Sequence, residues 1–179
     1  MCSSDLIAMR SYPEWLLCYW ACVASGLVVV GMNAWWVEDE MEYGLDDAAP
    51  KVMFTDNERL QRFLKIKEKF PDLVTVGVRL PEAVDGVLAF NHILEAGGSM
   101  PEVTVDPDAD ACIFYTSGTT GYPKGAQLTH RGCVHNILNM AFAGNLSMLT
   151  QCRLQGIEPP DPEAAPKSSA LVTTRSEEH

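Results

Sequence analysis

Four short, largely apolar runs constrain the fold more than anything else in this chain: residues 27–30, 51–55, 73–80 and 111–115. Each has the length and β-branched content of a buried strand, and the stretches between them carry apolar residues at helical spacing. Strands that alternate with helices of ten or so residues predict βαβ units and a mostly parallel sheet covered on both faces. The fold class expected is therefore α/β.

The helices have their own signals. Ser11 and Glu14, with Pro13 between them, read as a capping box opening a helix that runs through Ala24 and stops at Ser25 and Gly26. Met41, Leu45 and Ala48 lie on one face of a second helix whose acidic first turn begins at Glu38. Thr55 and Glu58 form another capping box, ahead of a helix with Leu60, Phe63, Leu64 and Phe70 facing inward. Its basic side chains Arg59, Arg62, Lys65, Lys67 and Lys69 are expected to form a solvated outer face rather than a phosphate site. A further helix presents Val87, Phe90, Ile93 and Leu94 and ends at Gly97 and Gly98, and residues 106–110 make a turn.

Composition removes several classes. Thirteen Lys and Arg against 24 Asp and Glu give a net charge of −11, the wrong sign for a basic nucleic-acid surface, so no nucleic-acid partner is expected. Residues 15–37 carry no charge and could span a bilayer by length alone. They divide into a helix and a strand, however, and an acidic stretch rather than Lys or Arg follows them. No integral membrane span is expected, which leaves a membrane-anchored protein the weakest of the functional classes. The six scattered cysteines, with no signal peptide ahead of them, read as reduced thiols of a cytoplasmic protein. His130, Cys133 and His135 lack a fourth ligand, and no metal site is expected there.

The chemistry lies after the last strand. Residues 115–125 read Tyr-Thr-Ser-Gly-Thr-Thr-Gly-Tyr-Pro-Lys-Gly, placing four hydroxyls, three glycines and a lysine in one loop. Gly118 and Gly121 allow backbone N–H groups to approach an anion, Thr116, Ser117, Thr119 and Thr120 add hydroxyl donors, and Lys124 adds a full positive charge. The loop is not a Walker sequence, because Pro123 precedes the lysine and Gly125 follows it. Nor does it have dinucleotide-binding spacing. From composition alone it is equally an ordinary polar hairpin leading into residues 126–129.

The whole string resembles the signature loop of the adenylate-forming, or AMP-binding, superfamily: an aromatic residue, then T-S-G-[ST]-T-G-x-P-K-G. Acyl-CoA synthetases are the members it is most like. The turn Met32-Asn33-Ala34-Trp35-Trp36, then Glu40, Tyr43, Leu45 and Lys51-Val52, and Leu128-Thr129-His130 after the loop, resemble the same family. The resemblance implies ATP-dependent activation of a small-molecule carboxylic acid as an acyl-adenylate, with Mg2+, followed by transfer to coenzyme A. It assigns Thr116, Ser117, Gly118, Thr119, Thr120, Gly121 and Lys124 to the ATP phosphates. Tyr115, Tyr122 and Pro123 would shape the loop.

Family features that normally lie downstream have no counterpart: the adenine-binding motif, the ribose-binding aspartate, the acid pocket and the catalytic lysine. The chain is therefore expected to be an incomplete portion of the large N-terminal domain, with no catalytic residue of its own. Residues 7–154 are expected to form that partial domain, residues 155–169 a Pro-rich surface loop, and residues 170–174 the start of the next strand. Residues 2–6 and 175–179 can be encoded by the two orientations of a common sequencing adapter, so residues 1–6 and 175–179 are expected to be non-native ends. The alternative is a stand-alone, non-catalytic nucleotide- or phosphate-binding module.

Overall fold

A computed structural model of the chain describes residues 4–117 and 121–161. The chain divides into two units, Met1–Arg131 and Gly132–His179. In the first, seven strands form one sheet in the order β5-β4-β3-β1-β2-β6-β7. They are β1 (Ser4–Ala8), β2 (Val28–Gly31), β3 (Val52–Asp56), β4 (Val74–Val78), β5 (Leu88–Ala89), β6 (Asp110–Thr116) and β7 (Lys124–Thr129). All pairings are parallel except the β6–β7 hairpin. The expected α/β architecture is the observed one.

Helix α1 (Pro13–Ala24) joins β1 to β2, α2 (Glu38–Ala48) joins β2 to β3, and α3 (Asn57–Phe63) lies between β3 and β4. The step from β1 to β2 runs one way along the sheet and the step from β2 to β3 runs back across β1. Right-handed crossovers then put α1 on one face and α2 with α3 on the other. Side-chain alternation agrees. Leu6, Ala8, Val30 and Met53 join Met41, Leu45, Leu60 and Phe63 in one buried cluster, whereas Asp5 and Gly31 meet α1 residues.

Several local expectations are corrected. The cap of α1 is Tyr12, without a side-chain bond; the Glu14 carboxylate instead accepts from Arg79 Nε at 2.9 Å. At α3 the cap is Asp56, whose carboxylate accepts from the Arg59 amide at 3.1 Å. Thr55 is fully buried in β3 and is not a cap. The single helix expected to carry residues through Phe70 is a short α3 followed by a 3-10 turn at Lys67–Lys69. Val87 precedes the short strand β5, and α4 (Phe90–Ala96) buries Phe90 while Ile93 and Leu94 stay exposed. The basic set is not one solvated face. Arg59 is buried, Arg62 is largely so, and Lys65 and Lys69 pair with Glu38 and Glu42 of α2.

Strand β1 is not among the expected strands, yet it lies between β2 and β3 with Leu6 and Ile7 fully buried. Its Asp5 faces Cys22, whose thiol donates to the carboxylate at 3.7 Å. Burial raises the Asp5 pKa, against smaller opposing effects of Cys22 and the Val52 backbone. Burial likewise pushes the Cys18 and Cys22 thiols up to about 12, so both are protonated at neutral pH. A carboxyl with a raised folded-state pKa favours the fold fully below its unfolded value and loses that contribution as pH rises through the folded value. Asp5→Val is therefore expected to stabilise the chain by about 1–3 kcal/mol at neutral pH. In urea unfolding at a series of pH values, the gap between variant and wild type should widen from acid toward neutrality; a gap independent of pH would contradict the ionised-carboxylate penalty.

Helix α5 (His130–Gln155) starts within the first unit and supplies most of the described residues of the second, and none of its residues is buried. It has one basic residue, Arg153, in its last turn. Residues 156–161, the described start of the expected Pro-rich loop, are exposed and without regular structure after Gly156. The expected strand at residues 170–174 lies outside the described residues. Among the described residues, no helix is long and apolar enough to cross a membrane.

Candidate functional site

Parallel α/β sheets place their binding crevices beyond the carboxyl ends of the strands, where successive crossovers diverge. Here that point lies beside β1 and β2, and the turn after β2 and the loop after β6 meet there. Between them is a cleft of about 320 Å3 lined by Asn33, Trp35, Trp36, Glu40, Tyr115, Thr116, Ser117, Gly121 and Pro123.

The floor on the β2 side is fixed from below. Arg59 Nε donates to the Ala34 carbonyl at 2.7 Å, and Arg62 Nη1 donates to the carbonyls of Ala34 at 3.2 Å and Trp36 at 2.7 Å. Arg59 Nη1 also reaches Asp56 Oδ2 at 3.0 Å and Glu58 Oε2 at 2.9 Å. Asp56 in turn accepts from the Arg10 amide at 3.1 Å. The arginines expected to be solvated therefore hold the turn that forms one wall of the cleft. Trp35 is exposed, with the Arg10 guanidinium 4.9 Å from its ring centroid. Glu40 is occupied at the start of α2, accepting from the Val37 amide at 3.1 Å.

Trp36 is buried and packs edge-on against Tyr115 with centroids 5.1 Å apart. It has room because Gly44 faces it; a Cβ at that position would sit 2.5 Å from Trp36 Cζ3. Alanine at a helical glycine ordinarily gains about 1 kcal/mol, but here the ring must move out of a packed site. Gly44→Ala is therefore expected to destabilise by about 1–3 kcal/mol net of that gain, measurable as a lowered urea midpoint. A raised midpoint would show that the ring shifts freely.

On the other wall, β6 carries Tyr115 and Thr116 into the loop and β7 takes it up at Lys124. The Thr116 hydroxyl donates to the Lys124 carbonyl at 3.3 Å, closing the hairpin mouth. Ser117, Gly121 and Tyr122 are exposed, and Pro123 is buried. Gly121 has φ +107°, a conformation that disfavours any side chain. Gly125 serves a different need: a Cβ there would lie 2.9 Å from Ile113 Cγ2 across the hairpin. Lys124 is exposed and, among the described residues, has no ion-pair partner.

Of the seven residues expected at the phosphates, Thr116, Ser117 and Gly121 line the cleft, and Lys124 stands at the start of β7. Gly118, Thr119 and Thr120 lie outside the described residues. Sequence reading marked the 32–36 turn as family-like but did not place Asn33, Trp35, Trp36 and Glu40 in the site. The available signal was positional: a polar turn directly after an apolar strand sits at the binding edge of such a sheet. Tyr115 donates to Asp47 Oδ2 at 2.6 Å, and burial first, then Asp47, raises its pKa.

Sheet order, crossover pattern and a glycine- and hydroxyl-rich loop at the strand ends together define an α/β domain with an open cleft at the carboxyl edge of its parallel strands. Residues 6–153 match the family described as AMP-binding enzyme. The chain belongs to that family, and within it is most like the acyl-CoA synthetases. It is 31% identical over 128 residues to the 3-hydroxybenzoate--CoA/4-hydroxybenzoate--CoA ligase of Thauera aromatica, covering 70% of this chain and 24% of that protein. It is 31% identical over 155 residues to the peroxisomal long chain acyl-CoA synthetase 6 of Arabidopsis thaliana, covering 80% of this chain and 22% of that protein. Among solved structures, the anthranilate CoA ligase AuaEII in complex with anthranoyl-AMP aligns with a TM-score of 0.65 at 25% identity, covering 73% of this chain and 26% of that one. The chain thus spans about a quarter of the length of the relatives it matches.

Proposed function

We propose that the chain carries the ATP-phosphate site of an acid–thiol ligase. In this reading the β- and γ-phosphates of ATP lie against Thr116, Ser117, Gly118, Thr119, Thr120 and Gly121, with Lys124 screening their charge. The observation that supports it most is the open cleft beside the loop, at the carboxyl ends of parallel strands, with exposed hydroxyls on its wall and next to Pro123 an exposed lysine that has no ion-pair partner among the described residues. An ordinary hairpin turn needs neither the cleft nor the cation. Mg2+ bound with the nucleotide would draw charge from the phosphate oxygens and ease departure of pyrophosphate.

The reaction that fits is a displacement in two steps. A carboxylate oxygen of the acid attacks the α-phosphorus, the bond to the bridging oxygen breaks, and pyrophosphate leaves. The sulfur of coenzyme A then attacks the acyl carbonyl, and AMP departs. This chain's residues act in the first step by holding the leaving pyrophosphate in line with the attacking oxygen, which is catalysis by position and charge. None of them makes or breaks a bond. A chain with so little of the family's length is expected to bind nucleotide weakly and to turn nothing over alone. A reducing, cytoplasmic setting fits six cysteines scattered mostly within apolar runs.

The test is ATP–pyrophosphate exchange by the uninterrupted gene product carrying this segment, assayed with short-chain, fatty and aromatic carboxylic acids. Exchange that requires one class of acid, followed by coenzyme A-dependent release of AMP, is the expected result. ATP binding without acid-dependent exchange in any class would replace the ligase with a non-catalytic nucleotide-binding module.

A further inference from the structure

We propose that Tyr43 and Asp47, one turn apart on α2, are positioning residues that hold Tyr115 and Tyr122, on either flank of the loop between β6 and β7, in place for a polyphosphate; the proposal rests on the phosphate reading above and deepens it. The two side chains reach opposite ends of that loop. Asp47 Oδ2 accepts from the Tyr115 hydroxyl at 2.6 Å, on the strand that enters it. The Tyr43 ring stacks on Tyr122, just before the strand that leaves it, with centroids 4.8 Å apart and planes 27° from parallel. Residues four apart share a helix face, so a single rigid element grips both ends.

Helix α2 is itself well held. Glu38 and Glu42 pair with Lys65 and Lys69, and Met41 and Leu45 are buried in the core. A glycine-rich loop left to itself would pay ordering entropy each time an anion bound. Tethering both ends to α2 removes part of that cost in advance. Neither Tyr43 nor Asp47 lines the cleft, and a carboxylate near an anion is unfavourable on charge alone. Its engagement by the Tyr115 hydroxyl gives Asp47 a role that outweighs that repulsion.

The experiment measures binding of inorganic tripolyphosphate to the 179-residue chain by calorimetry, and amide hydrogen exchange at Ser117 and Tyr122. Tyr43→Ala and Asp47→Ala are each expected to weaken binding about 5–10-fold and to speed exchange at both amides, with β1–β4 protection unchanged. Those fold-changes are what loss of one stacked pair, or of part of the worth of one charged hydrogen bond felt indirectly through the loop, corresponds to. Tyr43→Phe should keep wild-type behaviour. Tyr122→Ala removes the same stack from an exposed position, so it reports even where Tyr43→Ala unfolds, and the double variant should be no weaker than either single. Tighter binding by Asp47→Ala would mean that repulsion alone matters there. Unchanged affinity and exchange in the tyrosine variants would overturn the tether. A wild-type chain that binds no tripolyphosphate would instead remove the phosphate reading itself.

Discussion

Arg59→Met is expected to destabilise the chain by about 3–5 kcal/mol, the largest effect of any single substitution considered for its stability. The guanidinium is almost fully buried and bonds to Asp56, Glu58 and the Ala34 carbonyl. Methionine keeps the packing of the aliphatic stem while removing the guanidinium head. What remains is a buried Asp56 carboxylate stripped of its cation. Asp56 also caps α3 and accepts from the Arg10 amide, so its neighbours cannot simply turn it to water. Replacing Asp56 by Asn in the same chain should recover part of the loss, because the neutral side chain still caps the helix. Urea denaturation of the single and double variants checks this. A midpoint for Arg59→Met equal to wild type would mean that the ion pair is energetically idle.

Lys124→Ala is expected to weaken tripolyphosphate binding about 10- to 150-fold, the equivalent of one charge-assisted contact of about 1.5–3 kcal/mol. The side chain is exposed at the start of β7 and bears on no buried group, so unfolding by urea should be unchanged. The remaining affinity should also fall less steeply with added salt, because one cation has gone. In a longer ligase carrying this segment the same substitution is expected to slow pyrophosphate exchange. Calorimetry at two salt concentrations checks the first claim. Wild-type affinity in the variant would move the anion away from this loop.

The alternation of strands and helices was legible because its signals are local: β-branched runs, a glycine at +72° after α1, an acidic first turn on α2. Strand β1 was not. Its first residues coincide with the expected non-native end, and Asp5 breaks the apolar run that would mark a buried strand. The capping boxes fell one residue away from the true caps because Ser11 with Glu14 and Thr55 with Glu58 satisfy the box pattern while the caps Tyr12 and Asp56 do not, and only strand pairing decides where β3 ends. Arg59 and Arg62 looked like solvent-facing charge for a similar reason. Helical spacing tells which face a side chain occupies, but not that carbonyls of the 32–36 turn wait beneath it. In the site, the loop's residue types were readable, and its motif matched a family that the chain does belong to. The cleft, and the grip of α2 on Tyr115 and Tyr122, depend on contacts between residues far apart in the sequence, as with the 68 positions between Asp47 and Tyr115.

The most direct measurement is titration of the isotopically labelled chain with Mg-ATP, tripolyphosphate and AMP, followed residue by residue through its amide resonances. Binding of the β- and γ-phosphates by this loop predicts shifts centred on Thr116, Ser117, Gly121, Tyr122 and Lys124 with ATP and tripolyphosphate alike, and little response to AMP. Shifts that instead gather on Lys65, Lys67 and Lys69, or that AMP reproduces in full, would contradict it.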